Sequence, residues 1–96
     1  MTLRNKMKAE QSAKHIFDQA KTYALAYADG IEERPVFPSE DAIQGLSFFD
    51  EDMPTASGDA SNILEQLNRY GSPASTAQTG GRYFGFVTGG ALPVAL

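Results

Sequence analysis

The residues able to do chemistry are few, and their spacing decides what they can do. Lys6, Lys8, Lys14 and Lys21 are the candidate amine nucleophiles. A catalytic lysine needs burial or neighbouring cations to bring its pKa towards 7, and these four occupy polar positions in or before a first helix, so they read as solvated. His15 is the sole histidine. It has no serine, cysteine or carboxylate placed to form an oriented hydrogen-bond chain, which leaves a surface or packing role. Serines and threonines crowd residues 72–79 without a Gly-x-Ser-x-Gly elbow.

Asp50, Glu51 and Asp52 form a carboxylate cluster. They lack the alternating oxygen-ligand spacing and the turn glycine of a calcium loop, so a solvated acidic loop is expected. With no cysteine and one histidine, neither a disulfide nor a structural zinc cage is available. Gly80-Gly81 and Gly89-Gly90 could form anion-binding nests, but neither phosphate-loop nor dinucleotide spacing surrounds them. No metal site and no cofactor site follow from these residues themselves.

The chain of 96 residues allows at most one domain, and a small one with a thin core. Its net charge of -4 argues against nucleic-acid or anionic-membrane binding. No stretch approaches the ~18 apolar residues of a membrane span, and no apolar core follows Arg4, Lys6 and Lys8 to make a signal peptide. A soluble, cytoplasmic protein is the expectation. Charge is segregated: Arg4, Lys6, Lys8, Lys14 and Lys21 precede Tyr23, and most acids lie between Asp29 and Glu65. After Glu65 only Arg69 and Arg82 are ionised, which suits a covered segment.

The elements that must carry these residues are mainly helical. Ala13, Ile16, Phe17, Ala20, Ala24 and Tyr27 predict one helix from about Ala9 to Asp29, with Gly30 as a left-handed cap. Tyr23, Leu25 and Tyr27 widen its apolar coverage, so it is either an ordinary core helix or one that also touches a partner. Arg34 to Pro38 reads as an extended arm with Val36 and Phe37 as anchors, because proline biases its predecessor to extended geometry. Ser39 caps a short helix with Glu40 and Asp41 in its first turn, ended or bent by Gly45. Asp59 or Ser61 caps the next, which carries Ala60, Ile63, Leu64, Leu67 and Tyr70 and stops at Gly71 before Pro73. Ser72 to Gly81 reads as a polar connector. Phe84-Gly85-Phe86-Val87 alternates as a short strand would, either packed at an edge or lining a pocket wall. Leu92-Pro93 opens a further helix.

The run Arg82-Tyr83-Phe84-Gly85-Phe86-Val87-Thr88-Gly89-Gly90-Ala91-Leu92-Pro93-Val94-Ala95-Leu96 resembles the amino-terminal signature of the pyridoxal-phosphate-dependent amino-acid decarboxylases, the group of aromatic-amino-acid, histidine and glutamate decarboxylases. Phe49 to Pro54, the Ile63 to Tyr70 helix and Gly71-Ser72-Pro73-Ala74 are spaced as in that family too. The resemblance implies a lyase of amino-acid metabolism whose parent is α/β, of fold-type I in the aspartate-aminotransferase-like superfamily, with pyridoxal 5'-phosphate as cofactor. Residues 1–96 would then be a mostly α fragment: two or three helices joined by extended Pro/Gly-rich arms, ending in a short strand-like segment. It would wrap the neighbouring subunit of a homodimer ahead of the cofactor domain. Phe86, Val87, Thr88 and Gly89 would line the amino-acid substrate pocket, with the Phe86 ring against the substrate side chain and Thr88 and the Gly89 amide as hydrogen-bonding groups. The cofactor lysine, the stacking histidine and the aspartate facing the pyridine nitrogen would all lie past Leu96. The chain alone is therefore expected to hold no cofactor and to have no catalytic residue. A free-standing small helical interaction module is the other reading, its uncharged carboxy-terminal run serving as a docking surface.

Overall fold

The computed structural model describes residues 2–85, 89, 90, 92 and 94. Among these residues there are four α-helices, where two or three were expected: α1 (Leu3–Gln11), α2 (His15–Gly30), α3 (Glu40–Gln44) and α4 (Ala60–Gln66). Among the described residues there is no strand. The mostly helical expectation holds. The strand-like ending does not extend to Phe84 and Gly85, and its remaining residues, Phe86 and Val87, lie outside the described residues, as does Pro93.

The expected single helix from Ala9 to Asp29 is two helices. Thr2 caps α1 by accepting the Asn5 amide at 3.2 Å. The break comes at Ser12, whose hydroxyl donates to the Lys8 carbonyl at 3.1 Å while its amide is shared between Lys8 and Ala9. Serine bonding back to the i−4 carbonyl competes with helix continuation, and here the chain turns through Ala13 and Lys14 before α2 starts. Gly30 does not cap α2 in the left-handed region. It remains helical, Ile31 follows in right-handed geometry, and the Gly30 carbonyl accepts from both Glu33 and Arg34 amides at 3.2 and 3.1 Å.

The other caps follow the sequence. Ser39 accepts the Ala42 amide at 3.1 Å, and α3 passes at Gly45 into a 3-10 turn, Gly45–Phe49. Of the two candidates for the next cap, it is Asp59 that accepts the Asn62 amide, at 3.0 Å. Gly71 does not stop the helix there. The backbone runs on through a π turn, Leu67–Gly71, and a 3-10 turn, Ser72–Ala74, with Gly71 still right-handed. The wide turn carries Tyr70 onto Phe48, stacked at 4.0 Å between centroids, and edge-on to Phe49 at 6.4 Å. Such ring pairs add about 0.5–1.5 kcal/mol beyond area burial.

The helices meet through polar contacts as much as apolar ones. Gln19 on α2 donates to the Ser61 carbonyl at 2.9 Å and accepts the Ser61 hydroxyl at 2.7 Å. The covered stripe of α2 is Ile16, Gln19, Ala20, Tyr23 and Tyr27; Phe17 and Ala24, expected inside, are exposed. The face of α4 and the π turn after it is similarly half covered, with Leu64 and Tyr70 turned in and Ile63 and Leu67 open.

One arginine closes the structure. Arg34, at the start of the arm, which bends at Val36 and Phe37 rather than running extended, donates from Nη1 to the Ser72 carbonyl at 2.8 Å and from Nη2 to the Ser72 hydroxyl at 3.1 Å. Its guanidinium also lies 4.6 Å from the centroid of the Tyr27 ring. A planar fork that donates twice and stacks on an aromatic face is not replaced by an ammonium. Arg34→Lys is expected to lose about 1 kcal/mol of stability, from one charged hydrogen bond and the stacking. That corresponds to a thermal midpoint lower by about 4–8 °C for a chain of this size, read by far-UV circular dichroism.

Candidate functional site

The segment that reads as a connector is the most deeply covered among the described residues. Ala77 is only 2% exposed, and Gly80 is buried with it. The Ala77 amide donates to the Val36 carbonyl at 2.9 Å, so the arm and the connector hold each other. Val36 thus anchors the arm partly through its backbone, whereas Phe37, expected as a second anchor, stays 68% exposed. Small residues make this approach possible. A Cβ on Gly80 would stand 3.0 Å from Ile31 Cγ1 and 3.4 Å from the Ala77 carbonyl oxygen.

This docking brings the 79–81 turn against the carboxy-terminal end of α2 and leaves a cleft of about 470 Å³. Its walls are Ala24, Tyr27, Ala28 and Ile31 on one side, and Thr79, Gly81 and Gly90 on the other, with Glu32 at the rim. The volume falls within the range of small-molecule pockets. Every side chain on the α2 wall is apolar apart from the Tyr27 hydroxyl. No lysine or arginine lines the cleft among the described residues. Arg34 faces a neighbouring cleft with Tyr23, Ala26, Gly30, Asn68 and Ser72.

Of the four residues expected to line a substrate pocket, Phe86, Val87 and Thr88 lie outside the described residues. Gly89 is exposed, with nothing within 4 Å of where a Cβ would stand. Its neighbour Gly90 approaches the Thr79 carbonyl and forms part of the cleft wall. Upstream, the Tyr83 ring folds over Gly85 and occupies the space a side chain there would need, so glycine permits that close approach. Phe84 is 88% exposed.

Sequence reasoning missed Ile31, Glu32, Thr79 and Gly81 as cleft residues, and Arg34 and Ser72 as the clamp behind them. No spacing rule links Arg34 to Ser72. The run of small residues from Ser72 to Gly81 was the available signal, since such a run permits close docking as readily as it permits a loop. The carboxylates at Asp50, Glu51 and Asp52 lie in an exposed loop. Among the described residues no helix is long and apolar enough to cross a membrane.

A pyridoxal phosphate requires an amine for its aldehyde and cationic or amide donors for its phosphate. The cleft holds no amine or guanidinium among the described residues and its charged side chain is a carboxylate, so its lining does not fit that cofactor. Compared with protein-family models, curated proteins and solved structures, the chain matches none.

Gly80 is the tightest point in this arrangement. Gly80→Ala should be accommodated by a small shift of the Ile31 side chain. Gly80→Val should lift the turn off α2 and speed hydrogen exchange at the Ala77 amide, measured residue by residue by NMR. An unchanged Ala77 rate in Gly80→Val would remove the turn from its assigned place.

Proposed function

We propose that residues 1–96 are the amino-terminal, partner-wrapping segment of a cytoplasmic pyridoxal-phosphate-dependent amino-acid decarboxylase. In this reading the segment supplies dimer contacts and one wall of the substrate pocket, through Phe86, Val87, Thr88 and Gly89, and is not catalytic alone. The enzyme class rests on the likeness of the run from Arg82 to Leu96. Pyridoxal 5'-phosphate and the amino-acid substrate belong to the whole homodimeric enzyme.

The wrapping role rests on surface. The chain exposes 7866 Å², whereas a compact monomer of its mass exposes about 5,400 Å². Its radius of gyration is 16.4 Å, against about 12.5 Å for a compact domain of this length. The excess area is about the size of an extensive protein–protein interface. Leu3, Phe17, Phe37, Met53 and Phe84 are all more than two-thirds exposed, distributed over the whole length of the chain. Apolar surface on that scale calls for a covering partner.

The same surface also favours the second reading, a free-standing helical interaction module that docks on another protein. Size exclusion and circular dichroism of the 96-residue chain separate the two. The enzyme reading expects a molten or self-associating species, and a cooperative monomer would favour the module. A further test uses the complete reading frame of the gene, expressed with pyridoxal 5'-phosphate. It should give a dimer that releases CO2 from an amino acid, and Phe86→Ala should raise KM for that substrate. A reading frame coding for no cofactor domain would defeat the enzyme assignment.

A further inference from the structure

The cleft between α2 and the 79–81 turn has a chemistry of its own, independent of the enzyme class proposed above. Its floor and inner wall come from Ala24, Tyr27, Ala28 and Ile31, where α2 presents small and flat side chains to an open space of about 470 Å³. Across from them the Thr79 hydroxyl and the backbone of Gly81 and Gly90 supply hydrogen-bonding groups. The charge at the rim is a single carboxylate, Glu32, which makes no ion pair with any described residue. Both guanidiniums close by are committed elsewhere: Arg34 to Ser72 and to the Tyr27 ring, where it lines the adjoining cleft, and Arg82 to the Arg34 carbonyl.

An apolar slot with one unpaired carboxylate at its mouth selects for charge. An anion would meet Glu32 without a compensating cation, and a fully apolar ligand would leave the carboxylate unused. We propose that this cleft binds a small organic ammonium with an apolar or aromatic body. The body lies against Ala24, Ala28, Ile31 and the edge of Tyr27, and the ammonium faces Glu32 with the Thr79 hydroxyl within reach as a second acceptor. Glu32 is solvent-exposed, so it supplies selectivity rather than bulk affinity. The apolar contact supplies most of the binding.

The test uses the full 96-residue chain, labelled with ¹⁵N and held under conditions where its amide spectrum is dispersed, titrated with 2-phenylethylammonium and, separately, with neutral 2-phenylethanol. The ammonium should shift the amides of Ile31, Thr79, Gly81 and Gly90, and should bind about two- to five-fold more tightly than the alcohol, as an exposed ion pair allows. Raising the salt concentration should shrink that preference. Glu32→Gln should bring the ammonium down to the affinity of the alcohol and leave the alcohol unchanged. Ala28→Trp should abolish binding of both by filling the slot. Should Ala28→Trp unfold the chain, the Glu32→Gln arm still decides. Equal affinity of the two probes for the unsubstituted chain would overturn the proposal, as would shifts clustered away from the cleft or no shifts at all.

Discussion

The bidentate hydrogen bond from Arg34 to Ser72 is the constraint on which the remaining arrangement depends. It joins the residue just past α2 to the turn just past α4, across 38 positions of sequence. Because Arg34 also stacks on Tyr27, the end of α2 and the start of the arm are held as one piece. Arg82 adds to the same point by donating to the Arg34 carbonyl. With Ser72 fixed, the residues after it have little choice of path: Ala77 reaches Val36, Gly80 settles on Ile31, and the cleft appears between them. A partly desolvated guanidinium with two good acceptors is worth more than a surface ion pair. In a chain that buries so little apolar area, such a contact weighs heavily.

What the sequence revealed and what it hid divide along a physical line. Caps were legible because their chemistry is local: Ser39 and Asp59 each bind an amide three residues on, and nothing distant alters that. The two prolines flanking Val36 and Phe37 keep that arm out of helix for the same reason, although the chain bends at Val36 and Phe37 where an extended path was expected. The extent of the helices was less legible. Ser12 split the first because a hydroxyl can take a carbonyl from its own helix, and periodicity counts only apolar positions. Gly71 suggested a stop, yet stacking of Tyr70 on Phe48 rewards carrying the chain round in a wide turn.

The cleft was the least legible part, since it exists only where two distant segments touch. Thr79 and Gly81 carry no signature, and Glu32 looks like any solvated acid beside Glu33. The connector between Ser72 and Gly81 read as slack chain because its residues are small and polar. Those same sizes let Ala77 and Gly80 come closer to their neighbours than any larger residue could. Smallness read as looseness, and in the structure it is closeness.

The serine break after α1 has one more consequence. Among the described residues α1 is tied to the body by the Lys6 ammonium, which donates to the Ser57 hydroxyl in an exposed bond of 2.6 Å. Neither partner belongs to the Arg34 clamp, so α1 can be released without disturbing what the clamp holds. The turn at Ala13 and Lys14 puts an exposed basic residue, its backbone still right-handed, between two helices. A trypsin-like protease needs such a stretch of accessible chain. Lys14 is thus a natural point of first cleavage, and the product beginning at His15 would retain α2, the arm, the clamp and the cleft intact.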